Sequence, residues 1–170
     1  QNNQLGQLYY GKRIRHNDSF AHLLETSKRA MAACVYEGNP FFTLEHFKLE
    51  YPTYGTGDFK YPAYEIMQEN GSHVTNFEYV SHKIYRGKPA LIDCLPATYV
   101  EDEDEAKTLE ITLKDEVINT ELVLTYTIYE TRPVITRNAR FNHLGEEKIT
   151  LTNAMSACVD LPDSNYEMIE

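Results

Sequence analysis

Apolar and polar residues alternate with a period of two along most of the second half of the chain, the pattern of strands with one face buried. Thr108 to Lys114 places Leu109, Ile111 and Leu113 on one side and Glu110, Thr112 and Lys114 on the other. Leu122, Leu124, Tyr126 and Ile128 form a second apolar side, opposed by Val123, Thr125 and Thr127. Asn119 and its polar neighbours predict an antiparallel turn over Asp115 to Thr120. Val134 to Phe141 and Lys148 to Met155 predict two more strands, joined through residues 142–147, where Gly145 is able to take a positive φ. The second half therefore reads as a β-meander.

The middle of the chain is also β. Tyr61 to Met67 and Asn76 to Tyr85 are rich in aromatic and β-branched residues, and Asn70-Gly71 between them predicts a hairpin turn. Arg86-Gly87-Lys88-Pro89 predicts the turn that ends the second strand. Only Ser19 to Met31 has helical spacing, with Asp18 or Ser19 as N-cap and Leu23, Leu24, Ser27 and Met31 in phase. It predicts a short helix or turn on a long connection. Glu101 to Glu105 carries five adjacent carboxylates, which must stay solvated. The expected fold is all-β: one antiparallel β-sandwich over residues 1–170, built from two stacked sheets with at most one short helix.

Charge and cysteine usage narrow the function classes. Twenty-six acidic residues against sixteen basic ones give a net charge of −10, which repels phosphate backbones and argues against nucleic acid as a partner. The longest apolar stretch, Ala30 to Tyr36, is far short of the ~20 residues of a membrane helix, so no membrane partner is expected. No basic-then-apolar leader is visible at Gln1. Cys34, Cys94 and Cys158 are odd in number and lack a CxxC pairing. They predict reduced thiols in a cytoplasmic protein, with neither a disulfide framework nor a zinc site.

The common catalytic patterns are missing: there is no GxSxG, HExxH, phosphate loop or dinucleotide fingerprint. The six histidines are not spaced as ligand pairs. Asp160, Asp163, Asn165 and Glu167 cluster loosely, but a calcium loop wants glycine at its sixth position, which here is Met168. Neither a metal nor a cofactor is expected.

One segment stands apart, Glu50 to Ala63. Gly55 and Gly57 flank Thr56 and permit a tight backbone, while Pro52 and Pro62 stiffen the entry and exit. Such a loop can hold Asp58 at its tip for bidentate hydrogen bonding to vicinal sugar hydroxyls, with Lys60 donating to the same ligand. The alternative is that Asp58 caps the turn through the loop's own amides. Thirteen tyrosines can supply stacking platforms, although strand tyrosines such as Tyr126 and Tyr129 also suit the core.

Tyr54 to Lys60 with Pro62-Ala63 resembles the YGxGDFRxPA signature in the N-terminal domain of family 36 α-galactosidases. The resemblance extends in order through Gly6 to Lys12, Gly87-Lys88-Pro89 with Leu95 to Val100, Thr108 to Asp115, and Val134 to Arg137 running on to Ala157, and it closes at Asp160-Leu161-Pro162. It covers essentially the whole chain. Lys60 stands where the family usually has arginine, which weakens any planar, bidentate contact made there.

The resemblance implies an accessory domain, truncated at both ends, of a retaining enzyme that removes terminal α-linked galactose from melibiose, raffinose and related sugars. It puts the catalytic aspartates on a (β/α)₈ barrel downstream, so no catalytic residue is assigned here. It further implies packing on that barrel, a homo-oligomer (a tetramer in many members), and substrate binding by Asp58 and Lys60. A stand-alone carbohydrate-binding module and a pure assembly scaffold are the competing readings.

Overall fold

The fold is that of a computed structural model describing residues 3–15, 18–24, 44, 48–54, 61–92, 95–161 and 164–167. Among the described residues six strands carry it: β1 (Tyr64–Gln68), β2 (Glu78–Arg86), β3 (Ala106–Asp115), β4 (Thr120–Tyr129), β5 (Ile135–His143) and β6 (Ile149–Ala154). The sheet order is β2-β3-β4-β5 in one layer and β1-β6 in the other, and all pairs are antiparallel. The all-β sandwich expected from the alternation is what forms.

The β3–β4 turn follows its sequence signals closely. Asp115 is buried, and its Oδ1 accepts from the amides of Val117 at 2.9 Å and Ile118 at 3.2 Å. Its other oxygen accepts from the Asn76 amide at 2.7 Å and ties in the approach to β2. Asn119 takes a φ of 45°, a left-handed conformation that asparagine tolerates. The acidic run forms an exposed 3-10 turn at Glu103–Glu105, with the Asp102 side chain accepting from the Asp104 amide. The expected helix is represented by a 3-10 turn at Ala21–Leu23, where the Ser19 hydroxyl accepts from the Ala21 amide at 3.2 Å. The remainder of that segment, from residue 25 on, lies outside the described residues.

Two expected pairings do not form. Asn70-Gly71 does make a turn, with Gly71 at a φ of 81° and its amide bonded to the Gln68 carbonyl. Yet β1 and β2 then enter different sheets, and β1 pairs with β6. Likewise β5 and β6 part company, so the meander runs from β2 to β5. A turn dipeptide specifies a local reversal, whereas pairing follows the burial of each strand's apolar side. Tyr64 and Ile66 of β1 bury against the large sheet, which a hairpin with β2 would prevent. Gly145 does not take a positive φ; a Cβ there would instead lie 2.9 Å from His143 and 3.1 Å from the Ile118 carbonyl.

The layers are joined by rings. Tyr64 of β1 packs on Phe77 at 5.6 Å and on Phe141 of β5 at 5.4 Å, and stacks on Tyr51 at 5.3 Å. Leu113, Leu122 and Leu124 complete this core from the large sheet. Beyond it the same sheet face becomes exposed only toward its far end. Following the register, Ile84, Leu109, Tyr126 and Arg137 form one cross-strand row, and Arg86, Lys107, Ile128 and Ile135 the next. Leu124 is fully buried, but Ile84, Ile128 and Ile135 are 68%, 49% and 50% exposed.

Candidate functional site

The segment singled out by its glycines and prolines begins and ends on the rigid core. Leu49, Tyr51, Pro52 and Thr53 are buried on the way out, and Pro62, Ala63 and Tyr64 on the way back. The Ala63 amide donates to the Pro52 carbonyl at 2.8 Å, closing a neck between them. The Thr53 hydroxyl adds a longer bond to the Tyr64 carbonyl at 3.4 Å. Tyr54 and Tyr61, the last described residue on the way out and the first on the way back, are exposed. Asp58 and Lys60, the two predicted substrate-binding residues, lie outside the described residues, as do both glycines of the loop.

Behind the neck sits a cluster that sequence reasoning did not single out. Glu50 opens the segment, and its Oε1 lies 3.1 Å from Nη1 of Arg137. Arg137 Nη2 also donates to the Glu50 main-chain carbonyl at 3.3 Å, and Nη1 to that of Cys158 at 3.5 Å. The guanidinium lies over two rings, 5.2 Å from the centroid of Tyr51 and 5.0 Å from that of Tyr126. The Tyr126 hydroxyl donates to Glu50 Oε1 at 2.7 Å. The Tyr51 hydroxyl donates to the Met155 carbonyl, and the Met155 amide donates to the Ala63 carbonyl at 2.7 Å. The cluster thus closes a ring through the neck.

Burial dominates its electrostatics. Burial pushes the Glu50 carboxyl above the usual range, against the bond from Tyr126 and the charge of Arg137. Burial also raises Tyr51 to about 12, and burial followed by the Glu50 charge raises Tyr126 further. Arg137 Nε is buried and makes no hydrogen bond. The available signal was parity: Arg137 stands between Ile135 and Ala139 on the apolar side of β5, where a charge needs a partner. Its partner, distant in sequence, was not readable.

Among the described residues no group of three or more His, Cys, Asp or Glu is arranged to hold a metal ion. No helix among them is long and apolar enough to cross a membrane.

Two antiparallel layers around an aromatic core, with the neck at Pro52 and Ala63 anchored on it, define a β-sandwich domain. The chain belongs to the glycosyl hydrolase family 36 N-terminal domain family, whose profile matches residues 3–170. It is 45% identical over 165 residues to alpha-galactosidase AgaA of Geobacillus stearothermophilus, covering 97% of this chain and 22% of that protein. The crystal structure of AgaA superposes with a TM-score of 0.83 at 44% identity, over 92% of this chain and 21% of that one. The alpha-galactosidase from Lactobacillus brevis superposes with a TM-score of 0.88 at 36% identity, over 97% of this chain and 22% of that one. The chain therefore spans about a fifth of the length of the relatives it matches.

Proposed function

We propose that this chain is the N-terminal accessory domain of a retaining α-galactosidase acting on sugars of the melibiose and raffinose class. The observation that carries the reading is the 45% identity along nearly the whole chain to a protein named as an alpha-galactosidase, of which the match is 22%. Forms of AgaA have been crystallised with stachyose and with raffinose, which supports the substrate class. Retention needs two carboxyl groups ~5–5.5 Å apart on one scaffold, and the reading puts them in the catalytic barrel rather than in this domain.

The domain's share of the work is assembly and substrate contact. The open end of the inner sheet face, with Ile84, Ile128 and Ile135, supports packing against the barrel, since exposed apolar patches mark interfaces. The same surface chemistry supports a homo-oligomer. The loop between Tyr54 and Tyr61 reaches the galactoside, where Asp58 accepts from sugar hydroxyls and Lys60 donates. The enzyme works in the cytoplasm, a reading supported by an odd number of cysteines without CxxC spacing.

The test is hydrolysis of p-nitrophenyl α-galactoside by the full-length protein and by this chain alone. The full-length protein is expected to turn over and the chain to remain at background. Turnover by the purified chain, or an inactive full-length protein, overturns the reading. Tight raffinose binding by the chain alone favours a stand-alone carbohydrate-binding module.

A further inference from the structure

We propose that Arg137 is a positioning residue for the loop between Tyr54 and Tyr61: held on β5, its guanidinium grips Glu50 and Tyr51 and so keeps the Pro52–Ala63 neck closed. The inference rests on the reading in which that loop meets the galactoside.

The geometry suits arginine and no other side chain. One guanidinium reaches both the carboxylate and the main-chain carbonyl of Glu50, at 3.1 and 3.3 Å, so the residue two before Pro52 is fixed in side chain and backbone together. Its planar face meets the rings of Tyr51 and Tyr126, a contact that an ammonium cannot reproduce over two faces at once. The platform is firm, because β5 is registered against β4 from Thr120–His143 to Ile128–Ile135. From Tyr51 the connection continues by hydrogen bond to the Met155 carbonyl, from the Met155 amide to the Ala63 carbonyl, and from the Ala63 amide to the Pro52 carbonyl. Both sides of the neck therefore return to one arginine. A loop that contacts sugar gains from such a base, because a small misplacement of a binding group is costly.

A buried arginine that served stability alone would, when replaced, loosen the whole sandwich evenly. A positioning arginine acts at the neck first. The test uses Arg137→Lys, which keeps the charge but loses the fork and the stacking, and Glu50→Gln as the milder second variant. Hydrogen exchange in this chain is read at the Ala63 amide against the amides of β4. Steady-state kinetics are read in the full-length enzyme, with Asp58→Asn alongside. Arg137→Lys is expected to speed Ala63 exchange about tenfold while β4 is unchanged, and to raise KM about tenfold with kcat nearly constant. Glu50→Gln is expected to speed Ala63 exchange by less.

Exchange at Ala63 that is unchanged in both variants, or that rises only in step with β4, overturns the proposal. So does a wild-type KM for Arg137→Lys when Asp58→Asn raises it. If Asp58→Asn leaves KM unaltered, the sugar contact of the loop is what fails, and the Ala63 amide alone decides whether Arg137 holds the neck.

Discussion

Thr108 and Thr127 face each other across the β3–β4 ladder with their hydroxyl oxygens 2.9 Å apart and both side chains almost wholly buried. They lie on the side of the sheet that alternation opposes to the apolar one. On this side Lys88, Pro89, Leu91 and Pro96 to Thr98 line a cleft of about 220 Å³ with Thr127 and Thr136. Thr108 also bonds the Gly87 carbonyl at 2.6 Å, at the point where the chain leaves β2 with a φ of 80°.

Thr108→Val should therefore cost more than Thr127→Val. The first leaves the buried Gly87 carbonyl without its donor, a loss of about 1–3 kcal/mol. The second leaves Thr108 still bonded to Gly87 and should cost about 1 kcal/mol or less. Urea denaturation of the two variants checks the order.

Position along the inner sheet face decides the effect of apolar truncation. Leu124→Ala, at a fully buried position, should destabilise the chain by about 2–5 kcal/mol. Ile128→Ser, on the same strand and side but half exposed, should change its stability by about 0.5 kcal/mol or less. If the open end packs against a barrel, Ile128→Ser should still lower the melting temperature of the full-length enzyme. Calorimetry on both forms separates the two effects.

Glu50 gives a pH dependence of defined sign. Burial raises its folded-state value above the ordinary 4.5, so the folded chain holds this proton more tightly than the unfolded chain. That contribution is fully present below the ordinary value and is lost as the pH rises through the raised one. Glu50→Gln removes the titration, so the melting temperature of the native chain relative to the variant should fall with rising pH across that window. Glu110 acts oppositely. Burial pushes it up, but the bonds from Lys83 and Tyr85 prevail and lower it, so its contribution is lost on acidification. A difference between the native chain and the Glu50→Gln variant that is flat with pH would refute the assignment for Glu50.

Asp58→Asn in the full-length enzyme should lower kcat/KM by about ten- to a hundredfold, as expected for one charge-assisted hydrogen bond of about 1.5–3 kcal/mol. Thermal stability and oligomeric state should be unchanged. A stability loss of about 1 kcal/mol with normal kinetics would identify Asp58 as a cap of its own loop.

Much of the fold was legible because local chemistry left no alternative. Alternation from Leu109 to Leu113 and from Leu122 to Ile128, with Asn119 between, determined two adjacent antiparallel strands, since a one-residue slip would turn every leucine outward. The ordered motifs around Tyr54 to Ala63 determined the family. The same periodicity did not say how far burial extends, so Ile128 reads like Leu124 although only one of them is covered.

What only the tertiary structure decided were the relations between residues far apart in sequence. Asn70-Gly71 announces a turn, but the partner of β1 is β6, because Tyr64 and Ile66 gain more from burial against the large sheet than a hairpin could offer. Arg137 on an apolar strand face announces a missing partner, and Glu50 supplies it from 87 residues away. Alternation and turn residues act between near neighbours and are written in the order of the chain. Burial and charge pairing act through space, and the chain order does not contain the distances on which they depend.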